Sequence, residues 1–399
     1  MSNLLRLREV RIYKLAIPMR VRFEHFAAER AVADPVVVVL GATAPFAHLA
    51  GCGETLARPY VSGETPDSVL ADIEQSYVPM LSEFQATNFA EALERIETLP
   101  TILAGRVVTA ARAAVELALL DLACQAYSRR PADIAGWMGL PGFGAPGCLR
   151  AARYSGVVIG KSKAKLQWLL RLQRLAGLRD FKLKVAIAGW EERLDWACQV
   201  LGPALARKTA TLRVDANAGW SLAEVADALP LLEDRGVCAL EQPLPDTHDA
   251  DLGYLAEQSS CDIIADESLL TLDDGQRLIA GGGVKIFNIR IAKNGGLMPA
   301  LRLARLALTH GLDVQLGCLV GETSILTAAG LAFLEACPRV RFVEGAFGTW
   351  LLRRDVTTRT IRFGLGGRIR PRPGYGLGVT VDAAALDALA SRRVRVALG

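Results

Sequence analysis

Three acidic residues, Asp215, Glu241 and Asp266, each close a short apolar run, and they stand 26 and 25 residues apart. The runs are TLRVD (211–215), VCALEQP (237–243) and CDIIADES (261–268), and each gap between them has room for one helix and its connections. That is the period of a parallel β/α unit, because two parallel strands need a crossover of a dozen or more residues. Strand C-termini lie side by side in such units, so three carboxylates ending successive strands converge at the mouth of the sheet or barrel. Three hard oxygen ligands with open positions suit Mg²⁺ better than zinc, copper or an iron–sulfur cluster.

The period continues both ways. CLRAARYSGVVIG (148–160) and FKLKV (181–185) lie upstream, and KIFNIRI (285–291), DVQLG (313–317) and RFVEG (341–345) downstream, making eight strands in all. Between them, SKAKLQWLLRLQRLAG (162–177), SLAEVADALPLLEDRG (221–236) and LMPALRLARLALTHG (297–311) repeat apolar residues at intervals of three and four and end in Gly. The pattern is α/β: a (β/α)8-type barrel with acids and bases at its C-terminal face.

At 399 residues, half of them apolar, the chain has enough material for two domains. A net charge of +4, from 46 basic and 42 acidic residues without a block of one sign, argues against nucleic acid or a membrane surface as partner. Charges within the first ten residues are not the pattern expected of a signal peptide, and the longest uncharged stretch, residues 35–52, is broken by Gly, Pro, Thr and His48 and reads as a hairpin. Eight cysteines without a CxxC pair suggest reduced thiols in the cytoplasm. Most of them read as small core hydrophobes.

Ahead of the barrel, residues 1–135 read as an α+β capping domain. A hairpin over 36–56 is followed by helices, the last of them VVTAARAAVELALLDLACQAYSRR (107–130), whose apolar face is interrupted only by Arg112, Glu116 and Asp121. The barrel domain occupies 136–350. Beyond it, 351–399 is rich in Gly, Pro and Arg, does not form another barrel unit, and is expected to return to the capping domain.

Together, KLK (182–184), RVDANAGW (213–220), EQPLP (241–245), ADES (265–268) and IRIAKNGG (289–296) make the chain resemble the enolase superfamily, and within it the muconate-lactonizing-enzyme subgroup. The resemblance implies that Asp215, Glu241 and Asp266 bind Mg²⁺ and, through it, a substrate carboxylate, and that the proton α to that carboxylate is abstracted to give an enediolate. Lys184 matches the base. Lys182, two residues earlier on the strand and on the same side, supplies a neighbouring positive charge. GETLARPYVSGET (53–65) is similar to a capping segment of the subgroup, which puts Arg58 and Tyr60 among the expected substrate contacts.

Arg290 departs from the pattern. The subgroup carries a second lysine there, facing the first across the substrate, whereas a guanidinium stays protonated and is poorly suited to move a proton. Lys293, three residues on, is the weaker candidate for a second base. Among the histidines, His48, His248 and His310 do not end strands, and His25 lies in a capping segment. Glu344 ends the eighth strand and Glu322 follows the seventh, so both are candidates to face the substrate. Glu267, beside Asp266, is expected to support a ligand or form an ion pair, and Asn217 either orients a ligand or caps a turn.

The plainer readings are a solvated Lys-x-Lys strand edge, Asp215 as a helix N-cap, and Arg290 as a simple ion-pair partner. The expected function is a Mg²⁺-dependent lyase or cycloisomerase working with one base, Lys184, on a small carboxylate. The alternatives are a racemase or epimerase, for example of an amino-acid or dipeptide derivative, and a non-catalytic carboxylate-binding homologue. A homo-oligomer is the expected assembly. Specificity is expected from loops around 18–30 and 52–64 and from the ends of the last strands.

Overall fold

The computed structural model describes residues 3–25, 28–145, 148–160, 162–346, 348–370 and 373–398. Eight parallel strands follow one another in sequence order: Gly156–Val157, Asp180–Lys184, Thr211–Asp215, Ala239–Glu241, Asp262–Ala265, Val284–Ile289, Asp313–Leu316 and Phe342–Val343. A parallel bridge between Tyr154 and Val343 joins the two ends of this sheet, and the Ser155 N–H donates to the Val343 carbonyl at 2.7 Å. The sheet therefore curls into a barrel.

Local chemistry explains where the surrounding helices begin. Ser162 caps the helix Lys163–Leu175, and Ser221 and Thr271 form reciprocal capping boxes with Glu224 and Asp274 at the starts of Leu222–Asp234 and Leu272–Gly281. The first strand is shorter than its sequence suggests. Cys148–Ala151 forms a short helix, and extended pairing begins only where Tyr154 and Ser155 reach Val343. The run CLRAARY lacks the alternation that would hold a strand against a neighbour.

The cap is an antiparallel sheet in the order Ala390–Ala397, Leu5–Leu15, Val36–Ala42, Ala50–Thr55. Its outermost strand comes from the C-terminus, which crosses back over the barrel to reach it. The helix Thr109–Ala126 is buried nearly all round, as expected of a helix packed on both sides. It approaches the sheet so closely that a Cβ on Gly53 would meet the Ala114 carbonyl at 2.0 Å. Only glycine in the strand, facing alanine on the helix, permits that spacing.

The three charged residues of this helix, Arg112, Glu116 and Asp121, are buried as well. Glu116 accepts from the N–H groups of Leu297 and Met298, which open the barrel helix Leu297–Thr309, at 2.9 and 2.8 Å. Arg112 donates to the Gly295 carbonyl, and Asp121 accepts from the N–H groups of Cys52 and Leu377. Each carboxylate thus satisfies donors that burial would otherwise orphan, and together they bind cap, barrel and tail. Glu54 does the same for the next barrel helix, Ser324–Ala336, accepting from Thr323 and Leu326. Among the described residues, no helix is long and apolar enough to cross a membrane.

Candidate active site

The barrel interior is layered, because alternate residues of each strand point inward. At the bottom, Ala239, Ile264, Ile286 and Phe342 form a small apolar cluster of their own. Above it lies a polar layer. The Arg213 guanidinium stacks 4.0 Å from the centre of the Phe342 ring and donates to Glu344 at 2.9 Å. Lys182 donates to Glu344 at 2.8 Å and to Glu241 at 3.0 Å. Asn288 and Gln315 donate side-chain N–H groups to the two oxygens of Glu241, at 3.0 and 2.8 Å.

The uppermost layer faces the mouth. Lys184, Asp215 and Glu241 stand in register on adjacent strands, and Asp266 follows directly on the next. All three acids are fully buried. Lys184 donates to Asp215 at 2.7 Å and to the Asn217 side chain. Arg290 is hydrogen-bonded to Asp266 and lies 3.7 Å from Glu241. Lys293 is buried with three acceptors, the Asp266 carbonyl at 2.6 Å, its carboxylate at 2.9 Å and the Asn288 carbonyl at 2.9 Å.

The electrostatics follow from this packing. Burial alone would discharge Lys182, but Glu241, Glu344 and Asp215 outweigh it and hold the ammonium well above its usual range. Glu344 is driven up by burial and pulled back below the ordinary carboxylate range by Lys182 and Arg213. Burial and the Arg290 charge press Lys293 toward neutrality, against acceptors that engage all three of its donors.

The structure brings Lys182, Lys184, Arg290, Asp215, Glu241, Asp266 and Glu344 into one charged cluster. Glu344 is engaged by Lys182 and Arg213, and its carboxylate supports the lysine pair. Glu322 lies nearby in the loop after the seventh strand and lines a small cavity with Glu344, Tyr154, Leu326 and Thr327. Burial pushes it up to about 8. Arg58 is buried and bonded to Asp34 and to the Val320 carbonyl, tying the cap to the loop after the seventh strand. Tyr60 is partly exposed on the short turn Pro59–Ser62. The Asn217 side-chain oxygen accepts a hydrogen bond from Lys184, and its amide nitrogen donates to Glu267 at 3.2 Å. His48, His248 and His310 are exposed and away from the strand ends, and the side chain of His25 lies outside the described residues.

The composition of the site suits a hard cation, with carboxylate oxygens alone on three adjacent strand ends. In this conformation the acids turn toward Lys182, Lys184, Arg290 and Lys293, and among the described residues no three acidic, His or Cys side chains converge closely enough to hold an ion. Glu267 Oε2, beside Asp215, is buried without a hydrogen-bond partner among the described residues, and burial pushes this carboxyl up to about 7. An unmet acceptor at this point fits an ion or its ligand sphere.

Arg213, Asn288, Gln315 and Gln242 were not anticipated from the sequence. Arg213 and Asn288 precede Asp215 and Arg290 by two residues, so strand parity alone would have put them in the barrel interior. Gln242 follows Glu241 and takes the N–H groups of Asp266 and Ser268, fixing the end of the fifth strand.

Residues 167–385 match the family described as enolase C-terminal domain-like. The L-Ala-D/L-Glu epimerase of Escherichia coli is 32% identical over 345 residues, which cover 86% of this chain and 95% of that one. Chloromuconate cycloisomerase CbnB of Cupriavidus necator is 27% identical over 341 residues, covering 84% and 86%. A dipeptide epimerase from Cytophaga hutchinsonii, solved with Mg and the dipeptide D-Ala-L-Val, superposes with a TM-score of 0.79 at 21% identity, covering 98% and 99%. Barrel, cap, ordered motifs and these relatives agree, and the chain belongs to the enolase superfamily, as an enzyme of its muconate-lactonizing group.

Proposed function

We propose that this enzyme is a Mg²⁺-dependent lyase or cycloisomerase that removes the proton α to a substrate carboxylate, with Lys184 as its one base. The observation that carries this reading is the difference in access among the site's cations. Lys184 keeps 26% of its side chain exposed, against 10% for Lys182, 7% for Arg290 and none for Lys293. Lys184 is therefore the amine that can reach a substrate at the mouth.

Lys184 as a neutral amine would take the α-proton, with Asp215 and Asn217 fixing its position. Lys182, kept charged by three carboxylates, adds positive charge next to the base. Arg290 adds charge on the far side without a lone pair to offer. Mg²⁺ held by Asp215, Glu241 and Asp266 would supply the divalent charge that offsets the one developing on the substrate as the enediolate forms. Lys184 then returns the proton to a leaving group or a ring carbon on the same face.

A racemase or epimerase is the second reading, favoured by the 32% identical epimerase relative. It requires a proton donor on the opposite face, and the nearest amine, Lys293, has all its donors engaged within the protein. Incubation of substrate in D₂O separates the two. One-face exchange with retention of configuration supports the one-base reading, whereas interconversion of both stereoisomers at a rate comparable to the fastest reaction overturns it.

A further inference from the structure

Gln242 joins the three strand ends that carry Asp215, Glu241 and Asp266. It directly follows Glu241, is buried, and has a φ of +36°, a left-handed backbone that a residue with a side chain adopts only under constraint. Its carbonyl accepts at 2.8 Å from the N–H of Ala218, three residues past Asp215, and its own N–H donates at 2.9 Å to the carbonyl of Ile264, on the strand that leads to Asp266. Its side chain lies against the loop that follows this fifth strand. The side-chain oxygen accepts from the N–H groups of Asp266 and Ser268 at 2.9 and 3.2 Å, and the amide nitrogen donates to the Leu244 carbonyl and the Ser268 hydroxyl at 2.8 and 2.6 Å. Two donors meet the oxygen and two acceptors the nitrogen, so every hydrogen-bonding position of the amide is filled.

The network continues outward to solvent. The Ser268 hydroxyl donates to Asp249 at 2.6 Å, and the partly exposed Arg277 donates to the other Asp249 oxygen at 2.6 Å and to the Ser268 carbonyl at 3.2 Å. Asp249 comes from the short 3-10 turn Asp246–Asp251 after the fourth strand, and Arg277 from the helix Leu272–Gly281 after the fifth. The loop that carries Asp266 is therefore held from one side by Gln242 and from the other by an ion pair that reaches the surface.

We propose that Gln242, braced by Ser268 and Asp249, is a positioning residue that sets the spacing of the three carboxylates toward Mg²⁺. The inference rests on the metal reading given above and supplies a cause for its geometry. Asp215 is paired with Lys184, Glu241 with Lys182 and Asp266 with Arg290, so a bound ion must draw three carboxylates off their partners at once. The side chains can rotate to do this. They converge on one ion only if the backbones that carry them are held to within about 0.5 Å, and the bonds of Gln242 run to all three.

The test is Mg²⁺ affinity by titration calorimetry on the full chain after chelator treatment, without substrate, with stability followed in urea alongside. Gln242→Gly keeps the left-handed backbone without strain and removes only the side chain, and it should weaken Mg²⁺ binding by about 10- to 100-fold. Gln242→Asn, whose amide stops one carbon short, should also weaken binding, and it decides the matter if the glycine variant does not fold. Asp249→Ala should weaken Mg²⁺ by a smaller factor. Combined with Gln242→Gly it should add nothing, since the brace acts through the glutamine. Asn88→Ala, which removes the N-cap of the helix Phe89–Glu97 in the cap, should lower stability and leave Mg²⁺ affinity unchanged, which separates positioning from a general loosening of the fold. Wild-type affinity in either Gln242 variant overturns the proposal. So does a double variant whose loss is the product of the two single losses, or a loss in Asn88→Ala equal to that in Gln242→Gly. A wild type that takes up no Mg²⁺ overturns the metal reading itself, a different failure from a wild type that binds the ion and a Gln242 variant that binds it equally well.

Discussion

Lys182 and Lys184 are two residues apart on one strand and share an acceptor, the same oxygen of Asp215, at 3.1 and 2.7 Å. Their surroundings divide their work. Lys182 is enclosed by three carboxylates that keep it charged, while Lys184 reaches the open mouth. Lys184→Ala should therefore abolish both turnover and α-deuterium exchange, a loss on the order of 10²–10⁴-fold or more, with the fold unchanged by circular dichroism. Exchange that survives in this variant would remove Lys184 from the role. Arg290→Lys exchanges a permanent guanidinium for an amine able to titrate, and a slow racemisation channel should open, read by chiral chromatography of recovered substrate. Continued strict retention would mean that geometry at this position, and not the lack of a second base, enforces the stereochemistry.

At the scale of elements, the cap grips the barrel at helix N-termini next to the site. Glu116 holds the first N–H groups of Leu297–Thr309, directly after the segment that carries Arg290 and Lys293. Gly296 makes this possible, because it has a φ of +116° and a Cβ there would lie 2.2 Å from a Glu116 carboxylate oxygen. Gly296→Ala should destabilise the protein by roughly 1–3 kcal/mol from backbone strain, with the clash adding to it. Glu116→Ala should cost a similar amount, about 1–3 kcal/mol, by orphaning buried N–H groups. Urea denaturation measures both, and a Gly296→Ala protein as stable as wild type would rule out this account of the double glycine.

For the whole molecule, the buried carboxylates set how stability varies with pH. Burial pushes Glu54 up to about 7 and Glu116 and Asp121 up to about 6. These groups are protonated in both folded and unfolded chains below about pH 4, so their contribution is fully present there. As pH rises the unfolded chain ionises first, and the contribution is lost progressively up to about pH 7. Stability by urea denaturation should accordingly be greater at pH 5 than at pH 8, and the reverse order would show that the helix N-termini hold these acids ionised. Mg²⁺ should add to stability at the same end of the barrel, where the strands end. Binding only to the folded chain, it should raise Tm by a few degrees at saturation, and Glu241→Gln should abolish the shift. A wild type whose Tm ignores Mg²⁺ would refute the metal assignment.

The sequence by itself determined the barrel, because hydrophobic period, turn residues and the 26- and 25-residue spacing of three acids are local properties that one kind of β/α unit satisfies. It also determined the candidate site at the level of strand ends. Asp215, Glu241, Asp266 and the Lys-x-Lys pair were legible because each terminates a strand, and parallel strands end together. Only the tertiary structure decided what each charge faces. That Glu344 serves Lys182 and Arg213, that Arg58 is occupied by Asp34, and that Glu116 and Glu54 cap barrel helices from another domain all depend on residues far apart in the chain. No local pattern encodes such contacts. They arise only once the barrel closes and the cap settles on it, when buried charges and N–H groups must be satisfied by whatever the fold has brought within reach.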